Sequence, residues 1–351
     1  MPPQTRLGGL KILKEVVQVS LIEYKGDKGL PGELFRLLAK DEINVQLLTC
    51  ENHDQTWGMN IVIDSRDVLK ASNFLERRFG EIDYFTSRSA VLSLFPHRSN
   101  PEIAGALLEV FGKSGIEPKV LAHSNSAISA VLAEDMVSKA AGALFGALRF
   151  GAYRTPGDWK LAQKDGEGLY REVVASYQEK RPRVYFLEWQ DGQVLLQLNL
   201  EGNDLCRVGV AFNDFARLGL ALNFLISSPS AVEGRRIMLF GLPETHECDY
   251  LGLLKERIPG VVSEMTSPVA IFSMNGPHFA DRYGIVSELL ATFDRTQVEL
   301  LALSCAVSSI TGVIHAHQIH SATKAIQGCF EVPSVIRKAC TGPHSDLSPH
   351  F

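Results

Sequence analysis

Residues 90–150 contain one complete series of alternating strands and helices, AVLSLFPHRSNPEIAGALLEVFGKSGIEPKVLAHSNSAISAVLAEDMVSKAAGALFGALRF. AVLSLFP predicts a strand, and NPEIAGALLEVFGKSGI predicts the helix that follows it. KVLAHS and AISAVLAE predict two further strands before a second helix over DMVSKAAGALFGALRF. This order, β-α-β-β-α, matches the first five elements of the split βαβ, or ferredoxin-like, motif, whose full order is β-α-β-β-α-β. This motif places both helices on one face of an antiparallel sheet and leaves the other face for a second copy or another chain.

The same order of elements occurs on both sides of this stretch. Before it, VVQVSLIEY (16–24) predicts a strand, and ELFRLLAKDEI predicts a helix because its apolar residues recur at helical spacing. NVQLLTC and MNIVID predict two more strands, RDVLKASNFLERRFG a second helix, and a closing strand is expected near 84–89. After it, PVAIFSMNG (268–276) begins a similar series that closes near EVPSVI. We therefore predict an α+β fold built from tandem ferredoxin-like units, with antiparallel sheets and helices on one face.

We predict that the segment between these units contains a degenerate copy of the same series. RVYFLEW and QVLLQLNL flank Gln190-Asp191-Gly192, which predicts a hairpin. FARLGLALNFL (215–225) predicts a helix, and the position of the second strand is unclear. The predicted organisation is a first unit at 9–89, a second at 90–150, a linker at 151–182, a degenerate third unit at 183–266, a fourth at 267–336 and a flexible tail at 337–351.

The composition narrows the class of protein. A length of 351 residues suggests two or three domains, and 45% hydrophobic with 21% charged residues is typical of a globular protein. The net charge of −5 argues against a nucleic-acid partner and against a polybasic membrane anchor. No apolar run reaches the roughly 18 residues of a membrane span, and the N-terminal residues lack a signal-peptide core, so we expect a cytoplasmic protein. The six cysteines form no C-x-x-C pair and are expected to be reduced thiols.

Two stretches resemble ACT domains, specifically the regulatory region of aspartate kinases. The first is GLKILKEVVQVSLIEYKGDKGLPGELFRLLAKDEINVQLLT followed by GMNIVIDSRDVLKASNFLE, and the second is the stretch quoted at the start. The resemblance is good over 9–150, moderate over 267–333 and weak between them. It implies tandem ACT-like units, oligomers, and allosteric regulation by an amino acid in amino-acid biosynthesis.

The catalytic domain of aspartate kinases opens with Lys-Phe-Gly-Gly-Thr-Ser, which nothing in this sequence matches. Its nearest string, Leu7-Gly8-Gly9-Leu10, lacks the lysine and the hydroxyl groups. The sequence also has no G-x-x-x-x-G-K-[ST] phosphate-binding loop. We therefore expect the kinase domain to be absent, with no catalytic residues and no enzymatic activity from the chain itself.

The turn that opens the first helix of each unit is a candidate ligand site. The first N–H groups of a helix have no intrahelical partner, and the helix dipole adds partial positive charge, so a carboxylate binds there favourably. Glycine in the turn lets a ligand approach the backbone closely. A side chain on the second strand would then provide specificity. The candidate ligand-binding residues are Asp27, Lys28, Gly29, Leu30, Gly32, Cys50, Ser124, Asn125, Asp281 and Gly284.

Each candidate also has a purely structural interpretation. The turn at 26–32 fits the family's Asp-x-Pro-Gly pattern in either of two registers, and glycine-rich turns are common without any ligand. Cys50 stands where the family has a glutamine, and Glu102 where it has a glycine. Ser124 and Asn125 are ligand candidates by resemblance alone. Asp281, in the Asp-x-x-Gly turn, would either accept a ligand ammonium or simply cap a helix.

The histidines at 315, 317 and 320 raise the question of a metal site. On a strand, His315 and His317 would share one face. The sequence supplies no nearby acid or cysteine at ligand spacing, so we predict neither a metal nor another cofactor.

Three functions are compatible with these observations. The first is a non-catalytic regulatory protein that binds a small effector, expected to be an amino acid, at turn–helix sites and unit interfaces. The second is an aspartate kinase-related protein or the regulatory subunit of an aspartate kinase, whose partner would be a separate enzyme subunit. The third is a structural assembly module without a ligand. We expect a homo-oligomer, with no nucleic-acid or membrane partner.

Overall fold

The computed structural model describes residues 6–25, 30–53, 56–79, 84–96, 98–153, 155, 157–159, 181–246, 248–276, 283–306 and 309–338. The strands are β1 (Arg6–Leu7), β2 (Gly9–Lys25), β3 (Val45–His53), β4 (Thr56–Asp64), β5 (Tyr84–Phe95), β6 (Val120–His123), β7 (Ile128–Ala133), β8 (Arg149–Phe150), β9 (Phe186–Glu201), β10 (Phe224–Pro229), β11 (Arg235–Pro243), β12 (Val262–Asn275), β13 (Leu300–Ala306), β14 (Ser309–His315) and β15 (Val335–Lys338). The helices are α1 (Leu30–Lys40), α2 (Val68–Phe79), α3 (Pro101–Lys113), α4 (Val137–Ala147), α5 (Leu205–Arg217), α6 (Tyr250–Arg257), α7 (Ile285–Arg295) and α8 (Ile319–Cys329).

The larger sheet closes on itself. Its strand order is β11-β10-β6-β7-β5-β2-β4-β3-β13-β14-β12-β9-β15, and β9 also pairs with β11. Within this ring, four strand triplets repeat one arrangement, with the third strand of the series between the first and the second: β2-β4-β3, β5-β7-β6, β9-β11-β10 and β12-β14-β13. The prediction of a chain that mixes helices with a large sheet is confirmed.

Helices cover the outside of the ring in two groups. Helices α1, α2, α7 and α8 bury one core, in which Trp189, Phe272 and Phe293 are almost fully enclosed. Helices α3, α4, α5 and α6 bury the other core around Phe212 and Phe240. Side chains alternate between the two faces of each strand, so one face of the sheet is apolar. The helices pack against that apolar face.

The inner face of the ring is packed by smaller and more polar side chains. On β2, the alternate residues Val16, Gln18 and Ser20 are buried but lie apart from the helix-covered core that contains Val19 and Leu21. Polar side chains pair across the strands here. Ser20 donates to Asn60 Oδ1 (2.7 Å), Ser93 pairs with Ser129 (2.7 Å) and Ser273 pairs with Thr311 (3.1 Å). Such pairing is required because an unpaired polar group in this interior would be costly.

Two long strands replace elements that the sequence predicted to be separate. The strands predicted at 84–89 and 90–96 are parts of the single strand β5 (Tyr84–Phe95), so the position between residues 89 and 90 lies inside one strand. Likewise, the predicted hairpin at 190–192 is wrong, because β9 runs without a turn from Phe186 to Glu201. Gly192 has a φ of +58°, and the register with β12 shifts beside it. The glycine therefore forms a bulge that bends a continuous strand, rather than a turn that reverses it.

One further prediction differs from the structure, and two others fall largely outside the described residues. The helix predicted at 215–225 is wrong, since α5 ends at Arg217 and β10 begins at Phe224. Most of the predicted linker, residues 160–180, lies outside the described residues, and so do tail residues 339–351. Within the linker, Trp159 is buried, and its indole N–H donates to Leu10 O at 2.9 Å. The short segment around Trp159 is therefore packed against the first half of the chain.

Candidate ligand-binding site between α1 and α7

The first candidate site lies where α1 packs beside α7 and β3 pairs with β13. A cavity of about 30 Å³ is enclosed by the C-terminal part of α1, the entry to β3 and the N-terminus of α7, including Ala39, Val45 and Gly284. This volume holds one or two water molecules. An amino acid would need the helices to move apart here.

A much larger cavity, of about 1430 Å³, begins at the opposite end of the same helix pair. It is lined there by the first turn of α1, by Asn52 and Trp57 at the ends of β3 and β4, and by residues 297–301 that lead into β13. Sites for small molecules typically enclose about 300–1,000 Å³. This cavity therefore has room for a small metabolite without rearrangement of the helices.

The first turn of α1 offers donors to this cavity. Gly32 lines it, and a Cβ atom added at Gly32 would meet nothing within 4 Å. The backbone N–H groups of Gly32 and Glu33 lie in the first turn, whereas Pro31 has none. The side chain of Arg36, 62% exposed, also lines the cavity and lies 3.9 Å from Glu33 Oε1. An exposed ion pair at this distance contributes little, so the guanidinium remains available to an anion.

An acceptor that lacks a donor faces the same site. Asn52 lines the cavity, and its Oδ1 atom is buried with no hydrogen-bond partner among the described residues. A buried acceptor without a donor is costly unless a ligand or water satisfies it. An ammonium group would satisfy it, because it carries three donors. Sequence reasoning missed Asn52, although its place two residues after Cys50 at the end of the second strand is a usable signal.

The N-terminus of α7 has a similar but tighter geometry. Gly284 adopts a φ of +82° at the start of the helix, and none of the described side chains caps that end. A Cβ atom at Gly284 would lie 3.3 Å from Ala39 Cβ, which shows how closely α7 approaches α1 here. Gly284 is therefore required both by its left-handed backbone and by this close contact.

The other predicted site residues lie elsewhere or outside the described part. Asp27, Lys28, Gly29 and Asp281 lie outside the described residues, and α1 begins at Leu30. Cys50 is fully buried on the helix side of β3, where burial first and the nearby Glu51 second raise the pKa of its thiol well above the usual value. It contacts neither described cavity and remains a protonated, apolar core residue.

Ser124 and Asn125 lie in the turn between β6 and β7. Ser124 Oγ accepts a hydrogen bond from the backbone N–H of Ala127 (3.1 Å) and so stabilises its own turn. Asn125 Oδ1 accepts a hydrogen bond from Ser273 Oγ on β12 (3.1 Å). Both side chains are therefore engaged in contacts that join parts of this chain.

The second helix pair, α3 and α5, packs closely and leaves no space like the cavities described beside α1 and α7. A Cβ atom added at Gly105 would lie 2.7 Å from Gly209 O, and one at Gly112 would lie 2.8 Å from Cys206 N. The backbone N–H of Leu222 also donates to Ser99 O (2.8 Å), directly beside the start of α3. These contacts occupy the space that the cavities have in the α1–α7 pair.

The start of α3 has a structural explanation. Asn100 Oδ1 accepts a hydrogen bond from the backbone N–H of Glu102 (2.9 Å), and Pro101 begins the helix. This is an ordinary N-cap with proline at the first helical position. The turn therefore needs no ligand to satisfy it.

The histidines differ from the sequence-based expectation. β14 ends at His315, and His317 lies in the following 3₁₀ turn, so the two do not alternate on a strand. Their rings stack with centroids 5.6 Å apart, and His315 Nε2 lies 3.7 Å from Glu299 Oε2. The described residues contain no group of three or more His, Cys, Asp or Glu side chains placed to hold a metal ion.

The most perturbed carboxyl group is one that the sequence did not single out. Glu51 lies on the inner face of β3, and its Oε1 accepts a short hydrogen bond from Ser228 Oγ on β10. Burial raises the pKa of Glu51 to about 7, and the Ser228 hydrogen bond opposes this only partly. Gly58, directly opposite on β4, leaves the space that the carboxylate occupies.

A solved structure shares this fold. The aspartate kinase from Synechocystis superposes on 92% of this chain with a TM-score of 0.76 at 13% identity, and the chain spans 56% of the length of that structure. The regulatory subunit of aspartate kinase from Thermus thermophilus is 20% identical over 40% of this chain and 97% of its own length, with a TM-score of 0.37. No family model and no curated protein matches the sequence. Among the described residues, no helix is both long and apolar enough to cross a membrane.

Proposed function

We propose that this chain is an aspartate kinase-related regulatory protein that binds a small amino acid between α1 and α7. The observation that carries the proposal is the open cavity at this helix pair, which is lined both by the first turn of α1 and by Asn52, whose Oδ1 atom has no hydrogen-bond partner among the described residues. A free amino acid has the complementary groups, a carboxylate for the helix start and an ammonium for the amide oxygen.

The proposed architecture is four tandem ACT-like units. The four strand triplets with the third strand in the middle support it, and so does the similar fold of the Synechocystis aspartate kinase. In this arrangement the α3–α5 pair acts as a rigid joint, and the α1–α7 pair responds to ligand. Ligand binding at α1–α7 would shift the population between two packings of the helices.

Calorimetry of the full chain against the twenty amino acids tests the binding. We expect one amino acid, or a small group of related ones, to bind with a saturable signal. Silence from all twenty would refute ligand binding and favour the alternative of an assembly module.

The site is tested by Gly32→Ala. The added methyl group points into the cavity, so it should block close approach of the ligand and weaken binding at least about tenfold. Alanine is tolerated in a helix, so the variant should fold normally. Gly142→Ala is the matched control, because Gly142 is also helical, also has open space at its Cβ and does not line the cavity. Equal binding by both variants would place the site elsewhere.

A link to an aspartate kinase is the second part of the proposal, and it is supported by the shared fold alone. Co-purification with a kinase subunit, or phosphoryl transfer to aspartate by the chain, would establish which role it has. We expect the chain by itself to transfer no phosphoryl group.

A further inference from the structure

The residues that line the large cavity divide by chemistry into a buried floor and an exposed rim. Among the described residues of the lining, the buried ones are apolar apart from Thr292. They include Trp57, Leu290, Phe293, Val298 and Leu300. The hydroxyl group of Thr292 already accepts a hydrogen bond from Arg295 (2.9 Å). The floor therefore presents mainly carbon atoms to a ligand.

The charged residues of the described lining lie at the rim, where each is exposed or half-buried. Acidic residues such as Glu288 and Glu299 occur there together with basic residues such as Arg36 and Arg181. Both signs of charge are thus present, and exposed ion pairs contribute little. The rim is poorly suited to select a charged side chain.

The unsatisfied acceptor of the proposed amino-acid site lies beside the apolar floor. Asn52 pairs with Trp57 across β3 and β4, so both side chains stand on one face of the sheet. On the other side of β3, Ala302 pairs with Glu51, which brings Leu300 alongside the end of β3 that carries Asn52. Trp57 and Leu300 both belong to the helix-covered core and both line the cavity. A ligand whose ammonium group binds Asn52 Oδ1 is therefore flanked by apolar surface.

The polar backbone groups of the adjacent wall are engaged within the chain. The N–H of Val298 donates to Phe293 O (2.9 Å), and the N–H of Glu299 donates to Gln318 Oε1 (3.0 Å). Gln318 Nε2 in turn donates to Gln297 O (3.1 Å). This wall therefore offers an apolar surface rather than hydrogen-bond partners for the side chain of a ligand.

We infer that the amino acid bound in this cavity has an uncharged aliphatic side chain, which packs on Trp57, Val298 and Leu300. The inference rests on the proposed function, because it assigns the side chain of the same ligand. The first turn of α1 takes the carboxylate and Asn52 takes the ammonium group. A hydroxyl or a second ammonium group at the floor would lose its hydration without gaining a partner, which is costly.

Titration calorimetry of the full chain with L-valine and L-threonine tests the inference. These two amino acids have nearly the same shape, and threonine carries a hydroxyl group in place of one methyl group of valine. We expect valine to bind at least about tenfold more tightly, since apolar pockets discriminate against an added hydroxyl group by such factors. Equal binding of the two, or tighter binding of threonine, would overturn the inference.

L-norleucine and L-lysine test the same floor against a charge. Lysine has the straight side chain of norleucine with an ammonium group added at its end. Norleucine should bind at least about tenfold more tightly, because burial of the added charge without a partner is unfavourable. Lysine binding as tightly as norleucine, or more tightly, would show that the rim recognises a cation and would overturn the aliphatic assignment.

Leu300→Val locates the side-chain subsite. The shorter side chain deepens the floor by about one methylene group, so the ratio of leucine affinity to valine affinity should rise about fourfold. Leu303→Val is the matched control, because Leu303 is a fully buried residue of the same strand and core that does not line the cavity. Its ratio should match that of the unaltered chain. A ratio in Leu300→Val no higher than in Leu303→Val would overturn the assignment.

The outcomes separate this inference from the proposed function. Binding of threonine or lysine without binding of valine or norleucine would leave the amino-acid site in place and refute only the aliphatic side chain. Silence from every amino acid would refute both. The paired ligands are measured on the unaltered chain, so the test does not depend on the folding of either variant.

Discussion

The buried carboxyl group of Glu51 makes the stability of this protein depend on pH. Its pKa is raised from 4.5 to about 7 by burial on the inner face of the ring. Between these values the folded chain keeps a proton that the unfolded chain has lost. The free energy of unfolding therefore falls as the pH rises from about 4.5 to about 7, and above that range Glu51 adds no further change.

The magnitude follows from the two pKa values. Each pH unit of difference corresponds to about 1.4 kcal/mol, so ionised Glu51 costs the folded state about 3 kcal/mol at pH 8. Glu51→Gln removes the charge and keeps an oxygen that can accept from Ser228. The variant should match the unaltered chain near pH 4.5 and exceed its stability by up to about 3 kcal/mol at pH 8.

Urea unfolding at several values between pH 4.5 and pH 8 measures this difference. Subtraction of the two curves cancels every other titrating group that both chains share. Glu76→Gln, at an exposed position on α2, is the matched control and should show no such trend. A constant difference between Glu51→Gln and the unaltered chain across the whole range would refute the reasoning.

Three further predictions concern packing and capping, and thermal or urea unfolding checks each of them. Gly105→Ala forces a methyl group against Gly209 O and should destabilise the fold by about 1–3 kcal/mol, whereas Gly142→Ala should not; equal effects would mean that the two helices separate easily. Asn100→Ala removes the N-cap of α3 and should cost about 1 kcal/mol, and no loss would show that the cap is redundant. Phe272→Ala empties a fully buried position and should cost about 3–5 kcal/mol; a cost below 1 kcal/mol would contradict its place in the core.

The sequence predicted local structure best where one face of an element is apolar. The helices around 30–40 and 101–113 and the strands at 45–53 and 59–64 follow from spacing alone, because a helix and a strand repeat with different periods. It failed at Gln190-Asp191-Gly192, where a turn and a bulge use the same residues. The pairing with β12 on both sides of Gly192 decides between them, and that pairing is distant in the sequence.

In the candidate site, too, some residues could be found from the sequence and others required the fold. Gly32 and Gly284 could be found from the turn–helix pattern, since glycine at a helix start is a local signal. The position of Asn52 after Cys50 is also a local signal, but only the fold shows that no donor among the described residues reaches its Oδ1 atom. Nor could the sequence show that the α3–α5 pair is closed, which depends on Gly105 meeting Gly209 across two helices.

The sequence by itself determined the kinds of element, their repeated order and the glycines at the helix starts, because these depend on residues close together in the chain. Only the tertiary structure decided that the strands close into a ring, that Glu51 is buried within it and that one helix pair is open while the other is sealed. These features depend on which surfaces from distant parts of the chain pack together. Adding or removing one methyl group can change whether two surfaces fit, although it leaves the local pattern of apolar and polar residues unchanged.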